Sequence, residues 1–279
     1  MRNFPNFAAR PFSYIMADQI TSPQNPRIKN LMLLQQKSRE RRKQNLVVVE
    51  GLRETGIAVA NGFEIEQLFV CPEIALESNY QAIAGNALIT LVNRAVFEKI
   101  AYREGSDGCI ALLQPKWLKL KEVKLRSAPL IIVLEAIEKP GNLGAILRTA
   151  DAVDADAVIV CDPLTDIYNP NVIRSGLGCV FSRQVVACTS EEARRWLKAQ
   201  SIKVYAAELE ASSNYYDHDF TGPTAFVMGT EANGLTRSWI DFCDERIIIP
   251  MLGSIDSLNV SVSTAVLVFE AMRQRKFRV

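Results

Sequence analysis

Leu130-Ile131-Ile132-Val133-Leu134 is followed, after three residues, by Glu138-Lys139-Pro140-Gly141-Asn142-Leu143-Gly144-Ala145-Ile146-Leu147-Arg148-Thr149-Ala150. Five consecutive apolar residues without polar alternation predict a strand buried on both faces, the habit of parallel sheets. The segment behind it predicts a helix. Asn142 is placed to cap it, and Leu143, Leu147 and Ala150 recur on one buried face. Arg148 falls off that stripe and faces a cleft or water. The same alternation continues downstream. Strands are predicted at Ala157–Val160, Gln184–Ala187, Lys203–Ala206, Ala225–Met228 and Arg246–Ile249, and further helices over about 171–178, 191–199 and 260–275. Short apolar strands alternating with helices predict an α/β fold with a doubly wound, mostly parallel sheet.

Upstream lies a second, smaller α/β pattern. Strand-like runs at Leu46–Val49, Ile65–Val70, Leu88–Val92 and Cys109–Leu113 alternate with helical stretches around 52–60 and 93–101. Residues 114–129, basic and with a proline near each end, are read as the linker, so the domains are expected at 18–113 and 130–279. Residues 1–17 hold two prolines and two arginines but no acid. They are read as an over-called start or a disordered leader and are left out of the fold.

The 279 residues are 48% apolar and carry 32 basic against 31 acidic side chains, a balance that excludes whole-chain disorder. No apolar run approaches the ~18 residues of a membrane span. The six cysteines stand apart, with no C-x-x-C pair, as expected of free thiols in a reducing cytoplasm. The cysteine and histidine clusters of a structural zinc site are missing, so no metal is expected. The single histidine, His218, is expected to be a solvated loop residue.

The near-neutral total hides an asymmetry: residues 1–53 carry ten Lys/Arg against three acids. Two more basic runs follow, Lys116 to Arg126 and Arg273 to Arg278. Three such runs point to a polyanion partner, because phosphate neutralisation is the main sequence-independent source of nucleic-acid affinity. Arg27, Lys29, Lys37, Arg41 and Arg42 are the candidates for RNA contact.

In open parallel sheets, ligands gather at the carboxyl ends of strands. Neither G-x-G-x-x-G nor a Walker A loop stands at any of them, which removes the usual support for nicotinamide and nucleotide-triphosphate chemistry. Three other segments do: residues 138–150, Gly229-Thr230-Glu231-Ala232-Asn233-Gly234-Leu235 after Ala225–Met228, and Pro250-Met251-Leu252-Gly253-Ser254-Ile255-Asp256-Ser257-Leu258-Asn259-Val260-Ser261 after Arg246–Ile249. Gly229 lets backbone approach a ligand closely, and Ser257 and Asn259 straddle a helix start.

In order and spacing these segments resemble the signature motifs of the SpoU/TrmH family of RNA 2′-O-ribose methyltransferases, over roughly residues 130–275. The first half, with Val49-Glu50-Gly51 at the end of its first strand, looks like the substrate-binding domain of the family's long members. Glu138-Lys139 departs from the pattern, since relatives often place an aspartate before the proline-glycine.

The resemblance implies a deep trefoil knot in the C-terminal domain, a homodimer with its site at the interface, and S-adenosylmethionine as cofactor. Gly229, Ile249, Met251 and Leu258 would hold that cofactor. Arg148 would sit by the ribose 2′-hydroxyl and the neighbouring phosphate, with Asn142, Glu231, Ser257 and Asn259 completing the catalytic wall. The expected function is methylation of a ribose 2′-hydroxyl, in ribosomal RNA rather than tRNA. The alternatives are a tRNA 2′-O-methyltransferase and a catalytically silent RNA-binding module with the same fold.

Overall fold

The computed structural model describes residues 16–102, 105–211, 213–230 and 233–277. They form two compact units: residues up to Lys116 together with Tyr168–Arg174, and Trp117–Ile167 together with the chain from Ser175.

The first unit runs β1 Met16–Ile20, α1 Pro26–Gln36, α2 Ser38–Gln44, β2 Val47–Glu50, α3 Leu52–Ala60, β3 Ile65–Val70, α4 Glu77–Ala84, β4 Leu88–Val92, α5 Arg94–Ile100 and β5 Cys109–Leu113. Its five strands lie in the order β1-β4-β3-β5-β2, parallel from β1 to β3 and antiparallel on both sides of β5. One face is covered by α1 and α5, whose Ile28, Leu31, Leu34, Val96 and Phe97 join Val48, Phe69 and Ile110 in a buried core. The stretch left out of the fold ends inside β1, because Met16 and Ala17 already pair with Ile89 and Thr90 of β4. The rest of it lies outside the described residues.

Two expectations of charge fail in instructive ways. Arg41 is not available to RNA: it is 3% exposed, and its guanidinium donates to the carbonyls of Leu34 at 2.6 Å and Gln35 at 3.3 Å, satisfying the free end of α1. Arg27 and Lys29 on α1, Arg42 on α2 and Lys37 between the two helices are exposed.

The second unit runs β6 Leu130–Glu135, α6 Pro140–Ala152, β7 Ala157–Cys161, α7 Pro170–Ser175 (shared with the first unit), α8 Cys179–Ser182, β8 Val185–Cys188, α9 Ser190–Ala199, β9 Lys203–Ala207, β10 Ser213–Asn214, β11 Thr224–Met228, α10 Arg237–Ile240, β12 Glu245–Ile248 and α11 Val260–Gln274. Its seven strands, in the order β10-β12-β9-β11-β6-β7-β8, are all parallel. Ile131, Val133, Val204 and Val227 pack with Leu197 and Trp239 on one face, while α6 and α11 pack together on the other. β6 is buried throughout, as an apolar run without alternation requires.

The second failure of charge is here. Arg275 donates to the carbonyls of Phe220, Ala128, Pro129 and Gly222, and Arg273 pairs with Glu270, so this end of the last basic run is structural. Arg278 lies outside the described residues. Arg126 likewise serves the fold, through its pairs with Asp154 and Asp156. His218 is half-buried rather than solvated: it stacks on Phe220 and its Nε2 lies 2.7 Å from the Ser213 hydroxyl. The aromatic cluster below it supplies the apolar partner that a run of polar neighbours does not announce.

Burial pushes the Asp156 carboxyl up, but the Arg126 side chain and the N–H groups of Arg126 and Leu130 outweigh it and hold it below the usual carboxylate range. A carboxylate depressed in the folded state stabilises above its unfolded value of about 3.9 and loses that contribution as pH falls toward its folded value. Asp156→Asn is therefore expected to be less stable by about 1.5–3 kcal/mol at pH 7. The gap to wild type should narrow below about pH 4, read from urea unfolding at both pH values.

Candidate active site

β12, β9, β11 and β6 are successive neighbours, and the segments leaving their carboxyl ends line two adjoining cavities. The larger, about 720 Å³, is walled by Glu208 and Glu210 after β9, Gly229 and Thr230 after β11, and Ile249, Met251, Ser257 and Leu258 after β12. The smaller, about 330 Å³, is lined by Ile137, Glu138, Lys139 and Asn142 after β6. Lys139, Gly229, Thr230 and Val260 belong to both, so the cavities share a wall.

Local geometry explains how each wall is held. Ala136, just past β6, sits at φ +48°, a left-handed conformation unfavourable for a side chain-bearing residue. It turns the chain so that Ile137–Lys139 form the cavity edge. Pro140 then starts α6, and the residue before a proline is confined to extended backbone, as Lys139 is at φ −82°, ψ 117°. Glu135, 5% exposed at the end of β6, accepts from the Thr236 amide at 2.8 Å and its hydroxyl at 2.7 Å. That pins the loop leaving β11 from its far end.

The loop itself is closed by paired backbone bonds of 3.0 Å between Thr230 and Gly234. A Cβ at Gly229 would overlap the backbone of Gly234 and Leu235. The close approach expected of this glycine is thus, first of all, an approach of the chain to itself.

Asn259 caps α11, accepting from the Ser261 amide at 2.9 Å and hydroxyl at 2.6 Å. Its own amide donates to Asn142 Oδ1 at 3.2 Å. Asn259 lines the larger cavity and Asn142 the smaller, so this contact crosses from one to the other.

Gly229, Ile249, Met251, Ser257, Leu258 and Asn259 therefore come together around the larger cavity, with Asn142 beside them. Asn142 does not cap α6. The helix begins at Pro140, whose fixed φ suits the first helical position, and Asn142 falls inside the first turn. Arg148 is exposed on α6 and lines neither cavity. Glu231 lies outside the described residues. The motifs did not single out Glu135, Thr230, Glu208 or Glu210. For Glu135 a signal existed, a carboxylate directly ending a five-residue apolar strand.

Comparison with known proteins finds relatives of both units. Residues 129–269 match the SpoU rRNA Methylase family, and residues 25–111 the MRM3-like substrate binding domain. A 23S rRNA (uridine(2479)-2′-O)-methyltransferase of Streptomyces viridochromogenes is 28% identical over 93% of both chains. The 23S rRNA (guanosine-2′-O-)-methyltransferase RlmB of Pseudomonas putida is 38% identical over 65% of this chain and 76% of its own. The crystal structure of an AdoMet-bound rRNA methyltransferase from Sinorhizobium meliloti superposes with a TM-score of 0.84 at 27% identity, over 92% of this chain and 97% of its own.

Gly229→Ala forces the 230–235 loop off its present path, an overpacking worth about 1–3 kcal/mol. Calorimetric titration should show S-adenosylmethionine binding roughly tenfold weaker or worse, with a modest fall in melting temperature.

Proposed function

This chain belongs to the SpoU rRNA methylase family, and we propose that the RNA it methylates at a ribose 2′-hydroxyl, with S-adenosylmethionine as donor, is 23S ribosomal RNA. The observation that carries the reading is the Asn142–Asn259 contact between two adjoining cavities, one suited to a cofactor and the other to part of the nucleotide it modifies. Both curated relatives described above are named for ribose methylation of 23S rRNA, one on a uridine and one on a guanosine.

The larger cavity fits the cofactor in size and chemistry. Its ~720 Å³ lies within the ~300–1,000 Å³ range of small-ligand pockets. Ile249 and Leu258 offer apolar walls for a flat adenine, and the Glu208 and Glu210 carboxylates suit a ligand carrying positive charge. Bound there, S-adenosylmethionine supplies a methyl group on a cationic sulfur.

The protein's own residues then have positioning and charge to manage. Asn142 and Asn259, fixed to each other and to two helix starts, hold the ribose against the shared wall. Ser257 closes the polar side. Arg148 clamps the neighbouring phosphate and stabilises the alkoxide that forms as the 2′-hydroxyl gives up its proton to a neighbour or to water. A guanidinium is normally protonated and acts here as a donor, not as the base. Charge is cancelled as oxygen meets sulfonium, so alignment in a dry cleft supplies much of the acceleration.

The site is completed in a homodimer. Arg148, exposed and lining neither of its own cavities, serves the cleft of a second copy. Val262 and Phe269 on α11, 48% and 43% exposed, form the apolar surface that copy would cover. The residues matching a substrate-binding domain grip the RNA through Arg27, Lys29, Lys37 and Arg42. The C-terminal return through residues 249–259 forms the family's trefoil knot, and the enzyme works in the cytoplasm, where its substrate is assembled.

Labelled methyl transfer to unmethylated ribosomal RNA, followed by digestion to nucleosides, tests this. Label should appear in a 2′-O-methylnucleoside and vanish with Arg148→Ala. Arg148→Lys, which keeps the charge but not the fork, should lose roughly tenfold or more. Near-full activity of the lysine variant would remove the bidentate phosphate clamp from the mechanism.

A further inference from the structure

Resting on the methyl-transfer reading above, we propose that the smaller cavity receives the target nucleobase and that the Glu138 carboxylate selects guanine. The ~330 Å³ space adjoins the cofactor cleft across the wall made by Gly229, Thr230 and Val260. Asn142 lines the smaller cavity and Asn259 the larger, so a ribose bridging this pair can turn its 2′-oxygen to the larger cavity and its base to the smaller one. Single-stranded RNA is read in this way, by splaying a base out and bonding its Watson–Crick edge.

Among the described residues, Glu138 is the one acid lining that cavity. It forms no hydrogen bond or ion pair among the described residues, and it is exposed. Its backbone is held between the left-handed turn at Ala136 and the start of α6 at Pro140, so the carboxylate is presented from a fixed edge.

An ionised carboxylate only accepts hydrogen bonds. Among the four bases, guanine alone offers two adjacent donors on its Watson–Crick edge, N1–H and the N2 amino group. Uracil offers one donor flanked by two acceptors. Cytosine and adenine each set an acceptor ring nitrogen beside their amino group, and that nitrogen would face the carboxylate with like charge. Two parallel charge-assisted bonds to guanine are strong and geometrically selective. Lys139, on the wall shared by both cavities, adds positive charge where the target's phosphates enter.

The test uses the full chain with labelled S-adenosylmethionine, on both unmethylated rRNA and large ribosomal subunits, with the label assigned to individual nucleosides. Label in 2′-O-methylguanosine is expected. Glu138→Gln, which replaces one acceptor by a donor, should lower kcat/KM by roughly ten- to a hundredfold. Its cofactor affinity, measured by calorimetry, should stay unchanged. Label in 2′-O-methyluridine, -cytidine or -adenosine would overturn the guanine assignment while leaving methyl transfer established. An unaltered rate for Glu138→Gln would remove Glu138 from recognition. Absence of label from every ribose would bring down the methyl-transfer reading, and this inference with it.

Discussion

The amide of Asn259 bonds in two directions at once, and the site depends on both. Its oxygen accepts from the Ser261 N–H in the first turn of α11, and its nitrogen reaches the oxygen of Asn142 in the first turn of α6. Two helices that start from strands on opposite sides of β11 are thereby tied at their N-terminal ends. Helix starts carry partial positive charge and unsatisfied donors. Joining two of them through a neutral amide pair leaves a polar floor without a net charge of its own, suited to a ribose hydroxyl.

Rigidity around that pair comes from bonds that bind no ligand. Glu135 ties Thr236, Thr230 ties Gly234, and the absence of a side chain at Gly229 lets the loop fold back on β11. Each uses a polar group at a strand end, where the sheet stops supplying partners. The cavity is what remains once the backbone has satisfied itself.

Much of this was legible in the sequence. Continuous apolar runs such as Leu130–Leu134 and Ala157–Val160 admit few readings, because a parallel strand between two helical layers must be apolar on both faces. β1 and α4 escaped notice for the same reason. Met16–Ile20 carries Asp18 and Gln19, and Glu77–Ala84 opens on Glu77, Ser78 and Asn79, so neither shows a periodic apolar signal. The start of α6 was misplaced because Asn142 is a good cap, yet Pro140 is a better first residue and stands two positions earlier. The motif residues were found because they cluster at strand ends. Glu208 and Glu210 were not, since acids after a strand are common and nothing in the pattern says that β9 lies beside β12 and β11.

Charge was the least legible feature, and the reason bears on how such an enzyme can change its substrate. Arg41, Arg126 and Arg275 read as members of basic runs, but each is spent on carbonyls or carboxylates within the fold. Losing one would leave buried acceptors unpaired, so these positions are constrained by stability. Glu138 is in the opposite situation. It is exposed at the edge of the site, on backbone already fixed by Ala136 and Pro140. A substitution there alters the charge facing an incoming nucleotide without removing a strut. On the proposed reading, the residues that align the ribose are thus embedded in the architecture, while Glu138, proposed to face the base, stands apart from it, and substrate choice can diverge where folding does not object.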